Sequence, residues 1–202
     1  MQKSFPTHKL FTTTALVAAS IALAPGYASA DTIINSPVTA TQTMGAGQGI
    51  TVTSTGSITA DPAITANAAA ATFISNDGLI DGNGTRAIYL TNSVLTGNIT
   101  NTGTIKVDDT NNASDMAYAI YVDASTVSGG ITNSGTISSS LTGTSAANVF
   151  QNAFGIYATN SSTLNAISNM TDGTISASVD LTSANRGSDA TAFTLYFADT
   201  NI

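Results

Sequence analysis

The chain has 202 residues, a formal net charge of −7 and only 8% charged side chains. All twelve acidic residues are Asp, there is no Cys, and Thr, Ser and Asn number 34, 23 and 17. This composition excludes a helical chain rich in Glu and Lys, a highly charged disordered chain, and any disulfide framework or thiol chemistry, and it leaves short Thr-rich and β-branched strands joined by Gly- and Asn-containing turns.

Residues 1–30 read as a cleavable Sec signal peptide. Lys3, His8 and Lys9 form a basic start, Leu16 to Ala24 is the apolar stretch, and Pro25-Gly26 breaks a helix. Ala28-Ser29-Ala30 is a small-x-small cleavage site before Asp31. A spanning helix needs about 20 apolar residues, and this run is shorter. Removal of the peptide leaves twelve Asp against Arg86, Lys106 and Arg186, a net charge of −9. Three scattered cations cannot neutralise a row of phosphates, so no nucleic-acid partner is expected. The Sec export machinery is the expected partner at this stage.

Residues 31–45 carry no repeat and are expected to be an irregular or capping segment. Residues 46–202 carry one. The motif Ile-x-Asn-x-Gly-x-Ile runs from Ile74 to Ile80, from Ile99 to Ile105 and from Ile131 to Ile137. A degenerate copy begins at Val52, and a stretched copy runs from Ile167 through Asn169 and Gly173 to Ile175. With side chains alternating across a strand, the two Ile, the Asn and the Gly share one side. One such strand cannot bury its face, but copies stacked about 4.8 Å apart build a continuous core. That stacking predicts a column of Asn76, Asn101, Asn133 and Asn169, each amide bonded to the next as in cross-β ladders. The Gly suits a corner with positive φ or close backbone approach. The Ala run from Ala66 to Ala71 is the one place where a short helical turn is expected.

A second element alternates with the first: Ala87-Ile88-Tyr89, Ala119-Ile120-Tyr121, Gly155-Ile156-Tyr157 and Thr194-Leu195-Tyr196. From Ile88 to Gly103 and from Ile120 to Gly135 the spacing is constant, whereas the other half of the unit grows along the chain. The growing half (106–116, 138–152 and 176–190) reads as polar loops protruding side by side. The tyrosines read as core or rim packing, with sugar stacking as the alternative; each Tyr follows Ile directly, so the two side chains face opposite ways, which allows a Tyr column on the outside.

Repeats of this kind after a signal peptide resemble the passenger regions of bacterial autotransporters, over roughly residues 46–202 and at the level of repeat type. The resemblance implies an all-β fold, a right-handed parallel β-helix (solenoid), exported and displayed at the cell surface through an outer-membrane β-barrel. No barrel-like region follows, and the chain stops partway through a repeat. The array is therefore expected to be incomplete, the N-terminal piece of a longer protein. The function expected on these grounds is adhesion or contact with host or environment through an unknown surface ligand, protein or glycan. The alternatives are a structural stalk presenting a distal domain or a carbohydrate-active β-helix enzyme.

No reaction is expected. The carboxylate pairs Asp77 with Asp81 and Asp108 with Asp109 are candidates for glycoside hydrolysis, and both read instead as turn chemistry and solubility. The chain after residue 30 has no His, Cys or Glu, which removes a His-dependent triad and most zinc ligands. Gly129-Gly130-Ile131 does not continue the calcium-binding nonapeptide repeat. No catalytic residue, metal or cofactor is assigned.

Overall fold

Alternation at period two gives each strand one apolar and one small polar face, and the molecule closes the apolar faces on one another. The computed structural model describes residues 30–110, 116–143, 151–181 and 190–200. Among these there is no helix, and twenty-two strands form four sheets. The pairings are parallel. The fold is a parallel β-helix.

The first sheet, the Asn sheet, stacks Thr32–Ile34, Ile50–Val52, Ile74–Asn76, Asn98–Asn101, Gly130–Asn133 and Ile167–Asn169. The second stacks Pro37–Val38, Ser57–Thr59, Leu79–Asp81, Thr104–Asp109, Thr136–Gly143 and Thr174–Leu181. The third, the Tyr sheet, stacks Gln42–Met44, Ile64–Asn67, Arg86–Thr91, Met116–Asp123, Gln151–Thr159 and Ala190–Phe197. A short fourth sheet of Ala70–Ala71, Val94–Leu95, Thr126–Val127 and Thr163–Leu164 closes the second to fifth coils back to the Asn sheet.

The core is a set of columns. Ile50, Ile74, Ile99 and Ile131 stack in one, Ile58, Ile80, Ile105 and Ile137 in another, and Ile64, Ile88, Ile120 and Ile156 in a third, all buried. Each such side chain contributes about 1.5–3 kcal/mol relative to exposure, so an in-register stack is strongly favoured over a slipped one.

Thr32, Ile50, Ile74, Ile99, Ile131 and Ile167 hold one stack position, so successive coils take 18, 24, 25, 32 and 36 residues. The growth lies mainly between the second sheet and the Tyr sheet, and it corrects the loop reading of this half. Residues 106–109, 138–143 and 176–181 are strand, not loop. Their alternation continues the core outward: Val107 and Leu141 are buried, and Ala177 and Val179 pack against them. Opposite lie buried Ala117 and Ala153 of the Tyr sheet. The two sheets thus run on together beyond the helical core as a wing.

Two further expectations change. Residues 31–45 carry three short strands, which sets aside the irregular reading and leaves the capping one: Thr32–Ile34, Pro37–Val38 and Gln42–Met44 pair with the next coil and make the first of the described coils. They lack the Asn and Gly of the motif, but Ile34 and Met44 supply the inward apolar positions. The Ala run forms no helical turn. Ala66 and Ala71 are in strands of different sheets, and Ala68, at φ 50°, turns the corner between them. Parallel pairing on both sides outweighs the helix preference of alanine.

Candidate functional site

Of the expected cleavage residues, Ala28 lies outside the described residues. Ala30 is exposed, and the Asp31 carboxylate accepts the Gly49 N–H at 2.7 Å.

The motif Asn residues form a column. Asn76 Nδ2 donates to Asn101 Oδ1, Asn101 Nδ2 to Asn133 Oδ1 and Asn133 Nδ2 to Asn169 Oδ1, each at 2.7 Å. The same Nδ2 groups reach the carbonyls of Thr104, Thr136 and Thr174 at 3.0–3.1 Å. Asn76, Asn101 and Asn133 are wholly buried, whereas Asn169, on the last coil, is exposed. Beside them Gly78, Gly103 and Gly135 stack so closely that a Cβ would collide with a carbonyl oxygen of the coil before. Close approach, not positive φ, requires these glycines.

A second polar column was not foreseen. The Ser93 N–H donates to Ser125 Oγ at 2.9 Å and the Ser125 N–H to Ser162 Oγ at 3.2 Å. The hydroxyls donate in turn to the carbonyls of Thr91, Asp123 and Thr159. Each Ser follows a residue of positive φ, namely Asn92, Ala124 and Ser161. The sequence signal is a Ser two or three residues past the end of these Tyr-sheet strands, after Asn92, Ala124 and Asn160-Ser161.

The chemistry that remains for the surface is aromatic. Tyr89, Tyr121, Tyr157 and Tyr196 are in register on the outside of the Tyr sheet. A parallel column beside them holds Arg86, Tyr118, Phe154 and Phe193. Strict alternation would turn Tyr118 inward with Ile120. Instead Ala119 and Ile120 are both buried, and the Tyr118 ring stacks on Tyr121 at 4.7 Å. The extra residue re-aims the strand as a bulge does. At the matching position Gly155 lies too close to the Thr194 carbonyl for a Cβ. The legible signal is the recurring tetrapeptide Arg86-Ala-Ile-Tyr89, Tyr118-Ala-Ile-Tyr121, Phe154-Gly-Ile-Tyr157 and Phe193-Thr-Leu-Tyr196.

Along the axis Tyr118, Phe154 and Phe193 lie nearly parallel, 5.0 and 5.2 Å apart. Tyr157 and Tyr196 are also parallel at 5.0 Å. Phe154 stands at 70° to Tyr157 and Phe193 at 66° to Tyr196 within their coils, whereas Tyr118 and Tyr121 are stacked. The Arg86 guanidinium lies 4.8 Å from the centre of the Tyr89 ring, with Tyr121 and Tyr118 at 5.6 and 5.8 Å, a cation–π arrangement. Burial raises the Tyr118 hydroxyl far above the usual tyrosine range. Burial, and secondarily the charge of Asp123, pushes Tyr121 up to about 12. A groove of about 290 Å³ runs along this face, lined by the rings of Tyr118, Phe154, Tyr157, Phe193 and Tyr196 with Met116, Asn152 and Thr191.

The carboxylate pairs do not converge. Asp77 takes the Thr102 hydroxyl at 2.7 Å, and Asp81 takes the Asn83 N–H at 3.0 Å. Asp108 and Asp109 point to opposite faces of one strand, the first exposed and the second buried. Lys106 bridges Asp108 at 2.6 Å and Asp81 at 3.4 Å, and its bond to Asp108 raises the ammonium pKa. Among the described residues no group of three His, Cys, Asp or Glu could hold a metal ion, and no helix is long and apolar enough to cross a membrane. No family model, curated protein or solved structure matches the chain.

Proposed function

We propose that the chain is the β-helical passenger region of an exported, surface-displayed bacterial protein, and that it works by contact with a surface ligand, not by catalysis. The observation that carries this is the one-sided growth of the coil from 18 to 36 residues. The half made of the short sheet and the Asn sheet stays nearly constant, while the wing and the aromatic face widen together. A stalk needs only a constant cross-section. A rigid rod elaborated along one side presents a surface, and binding residues gather on such elaborations.

Two measurements test the reading. Residues 1–30 fused to a reporter that is active only after export should direct it out of the cytoplasm, with a new N-terminus at Asp31; an inactive, uncleaved reporter contradicts export. Beads coated with the purified chain should be retained on host-cell or extracellular-matrix surfaces above albumin-coated beads. Equal retention contradicts the contact role and favours the stalk.

A further inference from the structure

We propose that Tyr89 and Tyr121 are a modification site: one-electron oxidation by a peroxidase with hydrogen peroxide joins them as an intramolecular dityrosine, which staples the third coil to the fourth. The proposal is independent of the contact reading above.

Composition narrows the targets of such an oxidant. The chain has no Cys and no Trp, and no His after residue 30. Met thioethers take oxygen to the sulfoxide instead of yielding a coupling radical. Phenols remain. Tyr118 is only 5% exposed, whereas Tyr89 and Tyr121 are half-buried and meet solvent.

Both rings stand on strands flanked by coils on either side. Arg86–Thr91 pairs with Ile64–Asn67 and with Met116–Asp123, and Met116–Asp123 pairs in turn with Gln151–Thr159. Tyr89 and Tyr121 are direct register partners, with ring centres 5.1 Å apart and planes at 38°. The Arg86 guanidinium lies 4.8 Å from the first ring centre and 5.6 Å from the second, so one cation holds both rings on the same side. Coupling needs two ring edges side by side. Tyr121 and Tyr157 meet edge to face at 89°, and Tyr118 stacks face to face on Tyr121 within one strand. Of these three pairs, the tilted Tyr89 and Tyr121 need the smallest swing to bring their ortho carbons together. Partners already held in contact couple in preference to partners that must meet by diffusion.

The step balances. Each phenol gives one electron to the peroxidase and its O–H proton to water, which leaves two phenoxyl radicals. These join through a new C–C bond between the ring carbons ortho to the oxygens. The hydrogen on each of those carbons then moves to the oxygen and restores the phenol. Two hydrogen atoms leave the protein in all, and one hydrogen peroxide is reduced to two waters. The bond closes the chain between residues 89 and 121, which takes freedom from the unfolded state as a disulfide would. A chain without cysteine thereby gains a covalent tie between coils.

Trypsin reads the linkage directly. Cleavage after Arg86, Lys106 and Arg186 leaves Tyr89 as the one tyrosine of peptide 87–106, and places Tyr118, Tyr121 and Tyr157 in peptide 107–186. The purified chain, dilute and treated with horseradish peroxidase and hydrogen peroxide, should gain dityrosine fluorescence while staying monomeric. Its digest should contain 87–106 joined to 107–186, lighter than the sum by two hydrogens. That product should be lost in Tyr89→Phe and Tyr121→Phe, which keep the rings, and retained in Tyr118→Phe and Tyr157→Phe. The cross-linked chain should unfold at higher urea than the untreated one. Methionine sulfoxide without dityrosine, dityrosine confined to dimers, or a joined peptide that survives Tyr121→Phe overturns the site. An unchanged urea midpoint overturns the staple.

Discussion

Asn101 donates its side-chain amide to the Asn133 oxygen of the next coil at 2.7 Å, and both residues are wholly buried. The same direction of donation repeats from Asn76 to Asn101 and from Asn133 to Asn169. A one-residue slip of any coil would turn its Asn to the surface and leave the neighbouring amides unpaired. The column therefore acts on register as well as on stability.

Asn101→Leu removes the acceptor of Asn76 and the donor to Asn133, Thr136 and Gly103. Buried groups left unsatisfied cost about 1–3 kcal/mol each. A total of about 3 kcal/mol or more lowers Tm by about 6–12 °C in a chain of this size. Thr100→Ala, on the outer face of the same strand, should stay within about 0.5 kcal/mol. Thermal melts by circular dichroism compare the two, and equal midpoints would contradict a buried column.

Asn101→Asp makes a pH-dependent version of the same defect. The new carboxyl can donate to Asn133 or Thr136 only when protonated, so its folded pKa rises above the unfolded value of about 3.9. Stability from the protonated form is then present below that value and lost as pH rises through the folded pKa. Relative to the parent at the same pH, the variant should be far weaker at neutral pH than at about pH 4. A deficit independent of pH would show that the site is solvated.

Gly135→Ala forces a Cβ against the Gly103 carbonyl, whereas a Cβ at Gly45 meets nothing nearer than the Gln48 side chain at 3.7 Å. Overpacking costs about 1–3 kcal/mol. Urea midpoints should fall for Gly135→Ala and hold for Gly45→Ala. A neutral Gly135→Ala would mean that neighbouring coils do not approach at this corner.

These glycines and asparagines were legible because their spacing recurs between Ile residues, and period-two alternation then assigns a face. The Tyr118, Phe154 and Phe193 column was hidden by the same rule. Alternation places Tyr118 with Ile120, and only the extra residue at Ala119 turns it outward. The wing looked like loops because Ser138 to Thr142 is polar, yet Ser139 and Leu141 face inward beside Val107. The first coil carries Ile34 at the stack position that Val52 and then Asn76 hold in the following coils. Its strands therefore do not match the motif, though they fill the same core. The Ser93, Ser125 and Ser162 column depends on left-handed corners, which short polar segments do not reveal by periodicity.

Tyr118 and Tyr121 tie stability to alkaline pH. Their folded pKa values are raised, to about 12 for Tyr121, above the unfolded value of about 10. Their contribution is fully present below pH about 10 and is lost as pH rises through the folded values. The raised pKa of Lys106 acts in the same direction. Absorbance titration should show tyrosines ionising late, with the denaturant midpoint falling between pH about 10 and 12. Tyr118→Phe, which repeats the ring already present at Phe154 and Phe193, should lessen that fall. Ionisation of every tyrosine together near pH 10, with a constant midpoint, would contradict the stacked face.

The register of the coils is testable by covalent capture, because the chain contains no cysteine. Thr100 and Thr132 are direct parallel partners on the outside of the Asn sheet, and Ser168 lies one coil further on, opposite Thr132. Neighbouring strands are about 4.8 Å apart, inside the Cα range of about 4.4–6.8 Å for a disulfide. The double variant Thr100→Cys with Thr132→Cys should therefore oxidise to an intramolecular disulfide under mild conditions. Thr100→Cys with Ser168→Cys, two coils apart, should stay reduced. Rapid bonding of the second pair, or none in the first, would contradict the stacked, in-register β-helix.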